Sequence, residues 1–232
     1  MSEPGSTESG HDSPFQPLYV LADSQLLFRR GGEGSVLDDI ARRRLPEDPR
    51  AAYLGAANDD DPAFYDLFAG AVEAAGIHQH AMVRSAYGEA DRQWLESAHL
   101  VVLAGGDAGR AWRIFEQTGI REALLARYAA GAVLLGVSAG AVHLGWDHLN
   151  LVPALIGAHE EADDWAALRR RVEAARPPVR GLGIPFGAGL VCHPDGTIEA
   201  LRHPITELVP AEGGVSHSLL LPPQRGPSQA IH

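Results

Sequence analysis

The chain has 232 residues, 45% of them hydrophobic in type, and a formal net charge of −11. That length buries a sizeable core in one large domain, and the balance of apolar and charged residues is that of a water-soluble globular protein. The acidic charge argues against nucleic acid and anionic membrane surfaces as main partners, because both are bound through clustered Lys and Arg.

In chain order, residues 1–16 are polar and acidic and read as a disordered tail, as do residues 222–232. A single domain over 17–221 remains between them. Strands are predicted at Pro17–Ala22, Ala51–Ala56, Gln79–Val83, His99–Leu103 and Ala132–Val137, then at Gly181–Ile184, Gly189–His193 and Ile198–Leu201. Helical spacing fits Ser35–Arg44, Ala63–Ala75, Gly88–Ser97, Ala108–Phe115, Ile120–Ala130, Ala139–Gly145 and Asp163–Ala175. Strands separated by helices define an α/β fold of three layers, a mostly parallel sheet with helices on both faces. The last strands follow one another closely, which predicts antiparallel C-terminal edge strands. Cys192 is the only cysteine, so no intrachain disulfide forms. The Arg169–Arg171 cluster with Arg176 reads as a solvated helix face. Neither a signal peptide nor a long apolar span is present, so the expected location is cytoplasmic, with no membrane partner.

Gly136-Val-Ser-Ala-Gly-Ala141 closes the apolar run Ala132–Val137. A buried strand turning sharply into a helix needs small neighbours, and such a turn exposes a serine oxygen as a nucleophile. The helix after Ser138 also aims free N–H groups at the place where an oxyanion would form. In an open parallel sheet the loops beyond the strands' carboxyl ends carry function. One of them, Ala104-Gly105-Gly106-Asp107, lets backbone N–H groups approach a ligand and can supply a second oxyanion donor. The alternative is a tight turn before a helix capped by Asp107. For a base the chain offers eleven histidines. His143 lies in the serine's own helix and would have to curl back past its first turn. His159 follows the apolar stretch Leu149–Ile156 and Gly157-Ala158, where a strand would end and turn, His193 ends a predicted strand, and spacing does not separate them. Asp23, Ser24 and Asn58 follow the first two strands at the serine's edge and are candidate pocket walls. Asn58-Asp59-Asp60-Asp61 reads as a solvated helix-capping loop and His78-Gln79-His80 as an exposed edge, so neither a metal nor another cofactor is expected.

The order Ala104-Gly-Gly-Asp107, Gly136-Val-Ser-Ala-Gly-Ala141, Leu149-Asn-Leu-Val-Pro153, His159 and Gly183-Ile-Pro185 resembles the peptidase E and cyanophycinase family of serine peptidases, over about Leu18 to Leu201. The resemblance implies a class I glutamine amidotransferase-like fold, with Ser138 as nucleophile, His159 as base, and Gly106 and Ala139 as oxyanion donors. It implies a small peptide or amide as substrate; a monomer and a homodimer both remain open. Two departures stand out. The family's acid-bearing segment between the serine helix and Leu149-Asn-Leu is missing, leaving Asp147, Glu160 and Glu161 as substitutes by proximity. In a well-studied triad, loss of the acid costs about 10⁴ in turnover. The family's carboxylate-binding arginine aligns with Trp165, with Arg169 one turn further on, and its acidic residue after Gly-Leu-Pro is Phe186. With Gly105 and Asp107 these form the expected substrate pocket, suited to an apolar or aromatic group. Acidic substrates would also be repelled by Glu160 and Glu161. A catalytically silent relative binding a small molecule or protein in the same cleft is the alternative. An ordinary α/β-hydrolase is disfavoured because its histidine lies much further beyond the serine; only His217 would rescue that reading.

Overall fold

In the computed structural model, which describes residues 15–28 and 34–223, strand and helix alternate from the first ordered element. The order is β1 (Leu18–Leu21), α1 (Gln25–Phe28), α2 (Val36–Arg44), β2 (Arg50–Leu54), a 3₁₀ turn (Gly55–Asn58), α3 (Pro62–Ala74), β3 (Gln79–Val83), α4 (Glu89–Ser97), β4 (Leu100–Leu103), α5 (Ala108–Thr118), α6 (Ile120–Ala129), β5 (Val133–Val137) and α7 (Ala139–Leu144). There follow β6 (Leu155–Ala158), a 3₁₀ turn (Glu161–Asp163), α8 (Ala166–Ala174), β7 (Gly181–Ile184), β8 (Gly189–Cys192), β9 (Ile198–Leu201), β10 (Ile205–Ala211) and β11 (Gly214–Leu220).

Seven strands form the main sheet in the order β3-β2-β4-β5-β1-β8-β9. The first five run parallel, and β8 and β9 add antiparallel edges, as the sequence predicts. Side-chain alternation divides the core between the two faces. Leu18, Val20, Val101, Leu103 and Leu134 point to the face covered by Leu95 of α4, Phe115 of α5, Leu124 of α6 and Leu144 of α7. Tyr19, Leu21, Leu100, Val102, Val133 and Leu135 point to the other face, covered by Leu26 of α1, Leu37 and Ile40 of α2, and Phe68 and Val72 of α3. Continuous apolar strands are what a sheet buried on both faces requires.

A second sheet, β11-β10-β7-β6, departs from the single sheet that the sequence predicts. Ile156, Leu182 and Ile184 join the main core, while Leu155 and Leu208 pack with Trp165, Leu168 and Val172 on the α8 side. Its outer hairpin pairs Ile205 with Leu220 through to Ala211 with Gly214, and no element is predicted there. Short-range patterning fails because most of β11 is exposed and Pro210 reads as a break. Pro210 is tolerated because β7 pairs only with Thr206–Leu208, leaving the proline beyond that ladder. His217, placed near a tail on sequence grounds, lies within β11 opposite Leu208. The expected tails fall outside the described residues apart from 15–16 and 222–223. There, the Tyr128 hydroxyl donates to the Gln16 carbonyl at 3.0 Å, and the Phe15 and Tyr128 rings lie 5.1 Å apart.

Candidate active site

The site begins where β5 hands over to α7. Ser138 takes φ 51° and ψ −109°, a conformation that a non-glycine residue keeps only when its surroundings over-determine it. Three main-chain bonds do so: Ser138 N–H donates to Leu21 O at 2.9 Å, Val142 N–H to Ser138 O at 3.1 Å, and Gly140 N–H to Ala104 O at 3.1 Å. A Cβ on Gly140 would stand 2.1 Å from the Leu103 carbonyl oxygen, so glycine is what lets α7 lie against the end of β4.

The loop after β4 is drawn toward Ser138. Gly106 has φ +136°, and a Cβ there would come within 2.1 Å of Ala57 O. Asp107 N–H donates to that same carbonyl at 2.8 Å, and the Asp107 carboxylate accepts from Arg110 N–H at 2.8 Å as the cap of α5. The amides of Gly106 and Ala139 donate to no acceptor among the described residues.

His159 arrives from the second sheet. It has φ 46°, directly after β6, and its N–H donates to Ile184 O at 2.9 Å. Its Nε2 lies 2.9 Å from Ser138 Oγ. For Nε2 to accept the serine proton, the ring proton must sit on Nδ1, and Nδ1 has no hydrogen-bond partner among the described residues.

The carboxylates nearest in sequence are committed elsewhere. Asp147 accepts from Arg171 at 2.7 Å and meets His148 Nδ1 at 3.1 Å. Burial alone would raise its pKa, but hydrogen bonds from His148 and Arg171 hold it at about 2. Glu160 accepts from Leu168 N–H at 3.3 Å in the first turn of α8, and Glu161 from Phe186 N–H at 3.0 Å. None of the three bonds His159.

The other histidines fall away for topological reasons. His193 follows β8, which runs antiparallel to β1 with Cys192 opposite Leu18. Its end therefore lies at the sheet edge remote from Ser138, where His193 stands 3.6 Å from Glu199. His143 is fully buried, with Nε2 donating to the Ala108 carbonyl at 2.9 Å and Nδ1 unpartnered. Burial pushes it down to about 4, against the upward pull of Ala108 and Asp147. It ties α7 to the start of α5, next to the Gly106 loop, a link that sequence spacing does not reveal. Among the described residues no cluster of three or more His, Cys, Asp or Glu is arranged to hold a metal.

A cavity of about 540 Å³ opens beside Ser138 and His159. Gly105 and Phe186 line it, as do Asp23, Ser24 and Asn58. Trp165 does not: it is buried, and its indole packs so closely on β7 that a Cβ on Gly183 would lie 2.6 Å from it. Nor do Arg169, paired with Asp164 at 3.3 Å, and Asp107 line it. The wall assigned to Trp165 is built instead by Leu27 and Phe28 of α1, Phe64, Leu67 and Phe68 of α3, and Tyr53 of β2. Sequence periodicity assigns α3 residues to a helix and leaves its exposed apolar positions unexplained; Phe64 and Leu67 are 52% and 58% exposed.

The architecture defines an α/β protein whose candidate site lies in the loops gathered over the strands' carboxyl ends. The chain belongs to peptidase family S51, whose model matches residues 15–147. Among solved structures it is similar to a peptidase from an acI-B1 Actinobacterium, with TM-score 0.68 and 13% identity, covering 90% of this chain and 96% of that one. A putative peptidase E protein from Listeria monocytogenes EGD-e superposes with TM-score 0.61 and 15% identity over 81% of this chain and 98% of that one. No curated protein matches in sequence. Family membership supports a peptidase function, and the matched stretch holds Gly106 and Ser138 but ends before His159. No described helix is long and apolar enough to cross a membrane.

Proposed function

We propose that the chain is a serine hydrolase that cleaves a small peptide or amide, with Ser138 as nucleophile and His159 as general base. The observation that carries this reading is the 2.9 Å approach of Ser138 Oγ to His159 Nε2, with Ser138 held at positive φ on the turn from β5 into α7. Nε2 takes the hydroxyl proton as Oγ attacks the carbonyl carbon, and the Gly106 and Ala139 N–H groups receive the oxyanion. The imidazolium then protonates the leaving nitrogen as the C–N bond breaks, and water releases the acyl group by the same steps in reverse order. No cofactor enters this chemistry, and the cavity size supports a small substrate.

A second reading, a silent relative that binds a ligand in the same cleft, is favoured by one observation. His159 Nδ1 lacks an acid partner among the described residues, so neither tautomer nor imidazolium is stabilised there. A fluorophosphonate probe read by intact mass separates the two. Labelling of the wild-type chain that disappears in Ser138→Ala and in His159→Ala supports the hydrolase. An unlabelled wild-type chain moves the assignment to the silent binder.

A further inference from the structure

We infer that the cavity beside Ser138 prefers peptides and amides whose acyl side carries a large apolar or aromatic group over those with a carboxylate at that position. The substrate class rests on the hydrolase reading; the ligand preference does not. Exposed large apolar side chains are uncommon enough that a cluster of them marks a binding surface. Here Phe28, Phe64, Leu67 and Phe186 are 46%, 52%, 58% and 61% exposed, and all four line this one cavity. They come from three separate parts of the chain, so helix amphipathicity in one element does not account for them.

Phe186 is displayed by a dedicated scaffold. The Phe186 N–H donates to the Glu161 carboxylate at 3.0 Å, the Gly187 N–H donates to the Asp23 carboxylate, and Ala188 N–H closes the turn onto Pro185 O at 3.0 Å. Asp23 also accepts from Gln25 N–H at 2.8 Å, which fixes the start of α1, the helix that ends in Phe28. Two carboxylates thus hold the backbone that presents two of the rings. The charge of the site points the same way. The carboxylate and imidazole side chains among the described lining residues are those of Asp23, Asp59 and His159, and Asp59 is paired with Arg110. Among the described lining residues an incoming carboxylate would meet the like charge of Asp23 and a wall of apolar side chains.

The test separates ligand preference from catalysis. Binding of the dipeptides Phe-Leu and Asp-Leu to the Ser138→Ala protein, measured by calorimetry, reads the cavity without turnover; fluorophosphonate labelling of the wild-type chain reads the serine. Phe-Leu should bind at least about 10-fold more tightly than Asp-Leu, the effect of burying one aromatic side chain. Adding Phe186→Arg to Ser138→Ala should narrow or invert that ratio, and since Phe186 is exposed, thermal melting should show the fold intact. Equal affinities, tighter binding of Asp-Leu, or a ratio unmoved by Phe186→Arg in a folded protein would overturn the inference whatever the labelling shows. A sound preference with no labelling would instead sink the hydrolase and keep the cavity's selectivity.

Discussion

Ser138 stands on backbone fixed by main-chain bonds and by glycines that let carbonyls approach within what a methyl group would occupy. His159, 21 residues later, stands at the end of β6, where the ladder to β7 and a main-chain bond to Ile184 are supplemented by side chains: Glu160 on α8 and Glu161 on the turn at Phe186. The difference teaches that the two halves of the site should respond to different insults. The serine half is a packing problem, intolerant of a single added carbon. The histidine half adds side-chain ties to its main-chain ones, and those ties can be removed one at a time.

The sharpest way to break the comparison is Gly140→Ala. Its Cβ would fall 2.1 Å from Leu103 O, which is backbone that has no rotamer to give. The variant should lose more than about 3 kcal/mol or fail to fold cooperatively. A urea melt within about 1 kcal/mol of wild type would show that the α7 contact yields more readily than its geometry implies.

Next in size is acid sensitivity. His143 is fully buried and held down to about 4 by burial. In the unfolded chain it takes up a proton below about pH 6.5, whereas in the fold it stays neutral until about 4. Its contribution is therefore complete above about 6.5 and lost as pH falls toward 4, about 3 kcal/mol over that window. His143→Gln should flatten that part of the stability profile in urea melts at successive pH values. An unchanged slope would place the acid sensitivity in another group. Asp147, held at about 2, adds a further loss as pH falls through the ordinary carboxylate range toward 2.

On the histidine side, Glu161→Ala removes the acceptor for Phe186 N–H and should lower stability by about 1 kcal/mol while loosening the turn. Its readout is weaker binding of Phe-Leu with little change for Asp-Leu. Equal weakening of both dipeptides would mean that the turn shapes the whole cleft rather than the apolar wall. The smallest expected effect is the most diagnostic for mechanism. Asp147→Asn and Glu160→Gln should leave the fluorophosphonate labelling rate within about twofold, against about 10⁴ in turnover when a true triad acid is removed. A collapse of labelling in either variant would identify it as the missing partner of His159.

Much of this was legible in short-range pattern. The five parallel strands, the antiparallel pair β8 and β9, and α2 through α8 announce themselves by apolar runs and helical spacing, because burial on both faces leaves little choice of residue. Ser138 with its small neighbours is equally local, since a tight strand-to-helix turn is built within six residues. The hairpin β10 and β11 was not legible, for its exposed residues carry no alternation that burial would enforce.

The sequence by itself thus determined the α/β class, the turn that exposes Ser138 and the glycines beside it, since each depends on neighbours along the chain. Residue spacing left His159 and His193 open and the family resemblance implied His159; tertiary structure supplies the physical reason, because strand direction sends His193 to the far edge while β6, in a separate sheet, brings His159 to 2.9 Å. It also decided the cavity wall, moving Trp165 into the core and Phe64 and Leu67 to the rim. Those outcomes depend on which faces meet across the fold, and no spacing within a single element encodes that.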